Sequence, residues 1–155
     1  MRVGQGYDVH AFDHSRRLVL GGVLFEGEPG LSGHSDADVL AHAVIDALLG
    51  AAALGDIGAH FPSTDPRWAG ADSLELLRSV ADLVRKAGLR VGNVDATLVC
   101  QRPRVSARVA EMRANLARAL GAEVDKVSVK ATTSDGLGAI GRGEGIAAMA
   151  VALLE

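Results

Sequence analysis

The sequence predicts an α/β sandwich of the α+β kind, in which helices cover one face of a mixed four-stranded sheet and a small hairpin lies near the N-terminus. Short segments rich in Val, Leu and Ile alternate with longer segments whose apolar residues recur at helical spacing. Glycine- and proline-containing loops separate them. The 155 residues contain no linker-like segment and no internal repeat, so we expect one domain, residues 1–155.

The first half of the chain predicts a strand, a hairpin and a long helix. Residues 2–10 alternate loosely and form the first strand, in which Gly4 and Gly6 indicate close approach of another backbone. Two short apolar segments flank Gly21-Gly22 and predict a short hairpin or a bent strand. The long helix then extends from about Asp36 to Ala53.

The second half predicts two helices and three more strands. Asp72 and Glu75 are spaced like a capping pair, so a second helix begins near Asp72 and ends at Gly88. A third helix follows Ser106 as its N-cap and stops at Gly121. Strands are expected at 89–100, 127–131 and 146–154, and a glycine-rich loop joins the last two.

Composition narrows the functional classes. Only 3% of residues are aromatic and the net charge is −3, which argues against a stacking or general nucleic-acid-binding surface. The single cysteine, Cys100, forms no intrachain disulfide and is interpreted as an ordinary buried thiol. The sequence shows no signal peptide and no apolar run near the length of about 20 residues that spans a membrane. We expect a cytoplasmic protein.

Three residues form a candidate metal site. Asp8 and His10 are two positions apart on a strand and point to one side of the sheet. His42 on the long helix completes a ligand set of two imidazoles and one carboxylate, which is typical of catalytic zinc. Asp38 and Asp46 flank His42 at helical spacing and are candidate acceptors for its other ring nitrogen, or residues of a solvated helix face.

The remaining polar clusters leave alternatives open. The segment Lys130-Ala-Thr-Thr-Ser-Asp135 follows a strand and suits a phosphate and a divalent cation, or a plain polar turn. Arg142 and Glu144, in the glycine-rich loop, form an ion pair or an anion site. The arginines of Gln101-Arg-Pro-Arg104 are more simply explained as exposed charges. His14 is expected at the surface, and His60 has no predictable partner.

Taken together, the motifs resemble the 2-C-methyl-D-erythritol 2,4-cyclodiphosphate synthase family of the non-mevalonate isoprenoid pathway. The similarity covers nearly the whole chain in the family's order. Its matching motifs are Gly6-Tyr-Asp-Val-His10, Ser32-Gly-His-Ser-Asp-Ala-Asp38 with His42, Asp46 to Gly58, Phe61-Pro62 with Thr64-Asp-Pro66, Gly92-Asn-Val-Asp95, Lys130-Ala-Thr-Thr133 and Gly141-Arg-Gly-Glu-Gly145.

The resemblance implies two metal ions. Zn²⁺ is held by Asp8, His10 and His42, the set that the ligand argument also selects. A second divalent cation, Mg²⁺ or Mn²⁺, bridges the substrate diphosphate beside Asp135, where the family has a glutamate. The side chain of Asp135 is one methylene shorter than that glutamate. A bridging water or a shifted loop is therefore expected between its carboxylate and the cation.

The resemblance also implies the site residues. His34 and Thr133 match the family's transition-state stabilisers. Residues on the methylerythritol phosphate side are Asp8, Val9, His10, His34, Ser35, Asp56, Ile57, Gly58, Phe61, Pro62, Ser63, Thr64 and Asp65. Residues on the cytidine and diphosphate side are Cys100, Gln101, Arg102, Pro103, Arg104, Val105, Ser106, Ala131, Thr132, Thr133, Ser134 and Asp135, with Arg104 in place of the usual lysine.

In the implied reaction, the substrate's own 2-phosphate attacks the β-phosphorus of 4-diphosphocytidyl-2-C-methyl-D-erythritol 2-phosphate and expels CMP. This accounts for a sequence without a recognisable protein nucleophile. The family is a homotrimer with active sites between subunits. Ala139, often a phenylalanine in the family, and Arg142 then line an axial cavity that accepts isoprenoid diphosphates.

Two alternatives use the same residues. A metal-dependent phosphoesterase directs water to the phosphate and releases a linear product. A non-catalytic trimer binds nucleotides or isoprenoid phosphates without releasing CMP. The complete set of candidate ligands and stabilisers favours the synthase.

Overall fold

The computed structural model describes residues 1–155. In chain order its elements are β1 (Arg2–Leu20), β2 (Val23–Leu31), α1 (Val39–Ala52), α2 (Ile57–His60), α3 (Ser73–Lys86), β3 (Val91–Val99), α4 (Val109–Leu120), β4 (Val127–Thr132), α5 (Gly138–Gly141) and β5 (Gly145–Leu154). Single 3₁₀ turns occur at Pro66–Trp68, Ser106–Arg108 and Val124–Lys126. No helix is both long enough and apolar enough to cross a lipid bilayer.

The strands form one mixed sheet of five, in the order β2-β1-β5-β3-β4, with β3 and β4 parallel and the other pairs antiparallel. The prediction of a four-stranded sheet is therefore wrong. The predicted first strand ends at residue 10, but β1 continues through the polar segment around His14 and pairs with β2, with register shifts between Asp13 and Leu18. The predicted hairpin around Gly21-Gly22 is thus the far end of β1 joined to a fifth strand.

The three long helices α1, α3 and α4 pack together on one face of this sheet, as predicted, and α1 packs directly against β1 and β5. Two glycines of β1 make this contact possible. A Cβ atom on Gly4 would lie 2.1 Å from the carbonyl oxygen of Ala47, and one on Gly6 would lie 1.9 Å from that of Ala43. The close backbone approach expected from these glycines is confirmed.

Helix α1 is buried on nearly all sides, because β1 and β5 cover one side and α3 packs against another. Only Asp46 and Gly50 within it are not buried. The solvated helix face considered for Asp38 and Asp46 is therefore absent over most of the helix, and His42 is 9% exposed. Its imidazole needs partners inside the protein.

The start of α1 differs from the prediction. The helix begins at Val39, and Asp38 is its N-cap rather than a residue of its polar face. The fully buried Asp38 carboxylate accepts from the amides of Leu40 and Ala41 and, at 2.9 and 2.7 Å, from those of Gly21 and Gly22 in the β1–β2 turn. Burial and the nearby Asp36 carboxylate raise the pKa of Asp38. One carboxylate thus joins the turn to the helix.

We expect Asp38→Ala to lower the free energy of unfolding by about 2 kcal/mol, because buried backbone amides lose a charged acceptor. Urea unfolding followed by circular dichroism measures the change. Asp72→Ala is the matched control, since the exposed Asp72 caps α3 through the amide of Leu74 alone. That control is expected to lose about 1 kcal/mol or less. Equal losses in the two variants would contradict the bridging role of Asp38.

Other boundaries are close to expectation. Asp72 caps α3 as predicted, but Glu75 pairs with Arg78 instead of completing a capping box. The 3₁₀ turn at Ser106–Arg108 precedes α4, so the helix proper starts at Val109 and ends against Gly121, its left-handed C-cap. The segment before β5, predicted to be a glycine-rich loop throughout, contains one helical turn, α5.

The opposite face of the sheet has no helix layer. Antiparallel pairing places Tyr7 beside Met149 and Gln5 beside Val151. Among these, Tyr7 is 57% exposed, Met149 41% and Val151 46%. The isolated chain therefore leaves a cluster of apolar side chains in water on this face.

Candidate metal and substrate site

Asp8, His10 and His42 meet where β1 crosses α1. The Asp8 carboxylate oxygen lies 2.8 Å from Nε2 of His10 and 2.9 Å from Nδ1 of His42, and these two nitrogens are 3.2 Å apart. A tetrahedral Zn²⁺ with bonds of about 2.0–2.1 Å separates its ligand atoms by about 3.3 Å. The three donors therefore fit zinc with little adjustment. The prediction that these residues form one cluster is confirmed.

Electrostatics support a deprotonated carboxylate in this cluster. Burial alone raises the pKa of Asp8, but hydrogen bonds and charge from the two histidines outweigh it and hold this pKa well below its usual range. Burial opposes the charged form of His10, and the Asp8 carboxylate more than compensates, so the pKa of His10 is raised. A cation in the position of those protons is favoured by the same carboxylate.

The predicted acceptors for the other nitrogen of His42 are wrong. Asp38 caps α1, and Asp46 accepts the amide of Ile57 at 2.8 Å. Nε2 of His42 instead lies 2.9 Å from Oγ of Ser73 and 3.0 Å from Oγ of Ser35. A helix-face pattern selects neighbours on the same helix, whereas the true partners come from a loop and from α3.

His34 lies in the loop before α1, and several contacts position this loop. The Arg16 guanidinium donates to the carbonyl oxygens of Gly33 and Ser35. The amide of Gly70 donates to the His34 carbonyl at 2.8 Å, and Nε2 of His34 lies 3.0 Å from the carbonyl oxygen of Asp65. With Nε2–H donating there, Nδ1 of the half-buried ring is left for another partner.

A cavity of about 230 Å³, here called the metal-side cavity, opens beside the three candidate ligands. Two of its lining residues, Trp68 and Leu76, were not predicted. The Trp68 ring packs edge-on against Phe61, with centroids 5.0 Å apart. The complete lining is Asp8, His10, His34, Ser35, His42, Ile57, Gly58, Phe61, Ser63, Trp68 and Leu76.

The other residues predicted for the phosphate side lie around this cavity or away from it. Asp56 is the N-cap of α2 and accepts the amide of Ala59. Pro62, Thr64 and Asp65 are in the following loop, where Asp65 pairs with Arg67. Val9 is on the opposite face of the sheet from Asp8, since side chains alternate along a strand. His60, whose partner was not predicted, lies 2.8 Å through Nε2 from the Leu54 carbonyl oxygen.

A second cavity, the nucleotide-side cavity, has a volume of about 320 Å³ and is lined only by residues predicted for the cytidine side. They are Cys100, Gln101, Pro103, Arg104, Val105, Ser106, Ala131, Thr132 and Thr133. Arg104 is exposed, and no carboxylate of the chain pairs with it. Arg102 lies instead over the ring of Phe12. Burial raises the pKa of the Cys100 thiol, which disfavours the reactive thiolate form.

Asp135 lies at the end of the nucleotide-side segment. It has a left-handed backbone conformation, with φ of 51°, and its carboxylate accepts from the hydroxyl of Thr133 at 3.0 Å. The Ser134 hydroxyl donates to the carbonyl of Leu137. Farther along, Arg142 pairs with Glu144 at 2.6 Å, so the ion pair that was one of the two expected arrangements is present. Ala139 is exposed in α5.

The two cavities share no lining residue. Strand pairing places Asp8 opposite Ala148, Ala148 opposite Leu98 and Leu98 opposite Ala131. Three strand spacings of about 4.8 Å therefore separate the metal-side residues from the nucleotide-side segment, a distance of about 14 Å. Within one chain the two cavities are therefore separate.

Known proteins resemble this chain in both sequence and fold. The model of the YgbB family matches residues 1–155. The chain is 61% identical over 155 residues to 2-C-methyl-D-erythritol 2,4-cyclodiphosphate synthase of Geobacter metallireducens, covering 100% of this chain and 99% of the relative. It is 63% identical over 152 residues to the bifunctional enzyme IspD/IspF of an Anaeromyxobacter species, covering 98% of this chain but only 39% of that protein.

A solved structure of a 2-C-methyl-D-erythritol 2,4-cyclodiphosphate synthase in a CDP-bound form is also similar, with a TM-score of 0.90 and 36% identity over 99% of this chain and 100% of that one. The agreement thus extends from sequence to fold over the full described chain. The protein belongs to the YgbB family of 2-C-methyl-D-erythritol 2,4-cyclodiphosphate synthases.

Proposed function

We propose that this protein converts 4-diphosphocytidyl-2-C-methyl-D-erythritol 2-phosphate into 2-C-methyl-D-erythritol 2,4-cyclodiphosphate and CMP. The observation that carries the proposal is the meeting of Asp8, His10 and His42 at one wall of a cavity that also contains His34. A separate cavity formed by the cytidine-side residues supports it. The family's activity accounts for both cavities at once.

The chemistry needs orientation more than a protein nucleophile. An oxygen of the 2-phosphate forms a bond to the β-phosphorus, and the bond from that phosphorus to the oxygen shared with CMP breaks. The metal-side cavity holds the methylerythritol 2-phosphate, and the nucleotide-side cavity holds the base and ribose. Fixing both ends brings the reacting atoms together, and such orientation is worth up to about 7–11 kcal/mol in intramolecular reactions.

His34 and Thr133 are suited to stabilise the charge that develops on the transferred phosphoryl group. His34 is positioned by its bonds to the Asp65 and Gly70 backbone, so its ring needs little reorganisation. The Thr133 hydroxyl lines the nucleotide-side cavity beside Asp135. The unpaired Arg104 guanidinium adds positive charge at the same cavity.

Two divalent cations belong to the proposal. Asp8, His10 and His42 would hold Zn²⁺, and Asp135 with the substrate phosphates would hold Mg²⁺ or Mn²⁺, since magnesium is commonly bound by one or two carboxylates together with phosphate oxygens. When bound, the ions supply Lewis acidity that offsets the repulsion between the two phosphates. This explains how a chain of net charge −3 binds a polyanionic substrate.

A homotrimer completes the proposed site. The two cavities form two half-sites about 14 Å apart on one chain, and a neighbouring copy can bring its nucleotide-side cavity against the metal-side cavity of the first. The exposed apolar cluster of Tyr7, Met149 and Val151 supports burial of the helix-free face of the sheet in an assembly. In such a trimer, Ala139 and Arg142 line an axial cavity open to an isoprenoid diphosphate. The cytoplasmic location remains a prediction from the sequence.

Phosphorus NMR of the protein incubated with the cytidine-linked 2-phosphate, Zn²⁺ and Mg²⁺ tests the reaction. We expect CMP and the cyclic diphosphate to appear together, and EDTA to stop both, because the metals carry the charge neutralisation. A linear phosphate product would favour the phosphoesterase alternative. An intact metal site with no CMP release would favour the binding module.

Mixed trimers test whether the active site lies between subunits. His42→Ala and Thr133→Ala each damage one half-site, and we expect each homotrimer to be inactive. In randomly mixed trimers about one site in four combines two undamaged halves, so about a quarter of wild-type activity is recovered. Mixtures of either variant with itself are the controls. No recovery from mixed trimers of confirmed composition would place both halves of the site on one chain.

A further inference from the structure

The metal ligand His42 is connected to a buried chain of hydrogen bonds on the side away from the cavity. Oγ of Ser73 lies 2.9 Å from Nε2 of His42, and the same hydroxyl bonds to the carboxylate of Asp36. Ser73 is fully buried, and its amide also donates to Asp36, at 3.1 Å. The chain Asp36–Ser73–His42 joins the loop before α1, the first turn of α3 and the candidate metal cluster.

We propose that Asp36 and Ser73 are positioning residues that select the ring tautomer of His42 and direct its Nδ1 lone pair at the metal. This inference rests on the proposed zinc site and deepens it. The family's ligand set does not itself specify which groups hold the imidazole from behind.

The number of available protons fixes the direction of each hydrogen bond between Asp36, Ser73 and His42. The Asp36 carboxylate accepts only, so the single hydroxyl proton of Ser73 is donated to Asp36. Oγ of Ser73 then accepts, and the proton between it and His42 must be on Nε2. Nδ1 is left without a proton, facing Asp8 and His10, as zinc coordination requires.

The neighbouring hydroxyl of Ser35 is compatible with this direction. Its oxygen accepts the amide of Ala37 at 3.1 Å and lies 3.0 Å from Nε2 of His42. Its own proton can reach Oγ of Ser73, 3.4 Å away. Every hydroxyl and ring proton in the cluster therefore has an acceptor when Nε2 carries the proton.

The carboxylate of Asp36 is held in a fixed position, so it can fix the direction of the hydrogen bonds from Ser73 and His42. The amide of Asp36 donates to the carbonyl of Ala71, and its carboxylate accepts the amides of Asp38 and Ser73. Rotation of the carboxylate would leave the Ser73 amide, at the buried start of α3, without its acceptor. Groups that orient a metal-bound histidine typically change metal affinity about 10- to 100-fold when removed.

The test compares zinc affinity in four variants by competition with a chromophoric chelator. We expect Ser73→Ala to weaken zinc binding about 10- to 100-fold. We expect Asp36→Asn to weaken it about 10-fold, because an amide can donate to Ser73 and so release the hydroxyl proton toward Nε2. Ser79→Ala, an exposed serine on the same helix, and Asp72→Ala, which weakens the same helix end, are expected to bind zinc as the wild type does.

A second readout follows the Nε2 proton of His42 directly. In the zinc-loaded wild type, proton NMR of ¹⁵N-labelled protein should show a slowly exchanging ring N–H for His42, and Ser73→Ala should make it exchange faster. Unchanged zinc affinity in Ser73→Ala would overturn the proposed positioning of His42 by Asp36 and Ser73. A loss of zinc affinity in Asp72→Ala equal to that in Ser73→Ala would overturn it as well. If the wild type itself binds no zinc, the proposed metal site fails first, which is a distinguishable result.

Discussion

His42→Ala is expected to remove zinc from the protein and to lower the rate of cyclisation at least about a hundredfold, since metal stabilisation of a phosphoryl transition state is worth several kcal/mol. The geometry of the cluster gives the reason for this large expected effect. Its Nδ1 is within 3.2 Å of the donor atoms of both Asp8 and His10, so its loss leaves two ligands on one strand. Zinc content by mass spectrometry and CMP release by phosphorus NMR measure the two effects.

The control for this variant is His14→Ala, which removes an exposed imidazole from the same protein. It should keep zinc, activity and thermal stability. The His42 variant should still show the far-ultraviolet circular dichroism of the wild type, because the imidazole is not part of the cluster of 37 residues that forms the apolar core. A folded His42→Ala protein that retains both zinc and activity would contradict the ligand assignment.

The sequence predicts the metal cluster well because it depends on simple periodicities. Asp8 and His10 share a strand face, and one helix brings His42 to that face. The residues behind the cluster could not be predicted in this way. Ser35 and Ser73 reach Nε2 from separate segments, and no local pattern relates residue 73 to residue 42.

The errors in the fold have a similar origin. Polar residues around His14 resemble a turn, yet β1 passes through them because β2 supplies backbone partners on one edge. Asp38 has helical spacing to His42, but its buried carboxylate is used by the β1–β2 turn and the first turn of α1. Spacing along one element predicts which side chains share a face. It does not predict that one of these side chains will instead accept hydrogen bonds from the backbone amides of a distant turn.

Gly6→Ala is expected to lower the free energy of unfolding by about 3 kcal/mol or more, the upper end for overpacking a core. The added Cβ would lie 1.9 Å from the carbonyl oxygen of Ala43 and 2.8 Å from the amide nitrogen of Ala47. Both are backbone atoms of the buried α1, so no side-chain rotation relieves the contact. Urea unfolding measures the loss, and zinc affinity should fall with it, because Asp8 lies two residues along the same strand.

Two further variants distinguish the contact between a Cβ atom at residue 6 and the backbone of α1 from a general effect of adding a methyl group. Gly50→Ala is in α1 itself, where the new Cβ would meet only the Gln5 carbonyl oxygen at 3.9 Å, so we expect it to stabilise the protein by about 0.5–1 kcal/mol. Ala43→Gly combined with Gly6→Ala should give no rescue, because the clash is with the carbonyl oxygen of residue 43 and not with its side chain. Recovery of stability in that double variant would show that side-chain volume, rather than backbone contact, sets the distance between β1 and α1. The distance from His42 to the strand ligands would then depend on core packing in general and not on the glycines of β1.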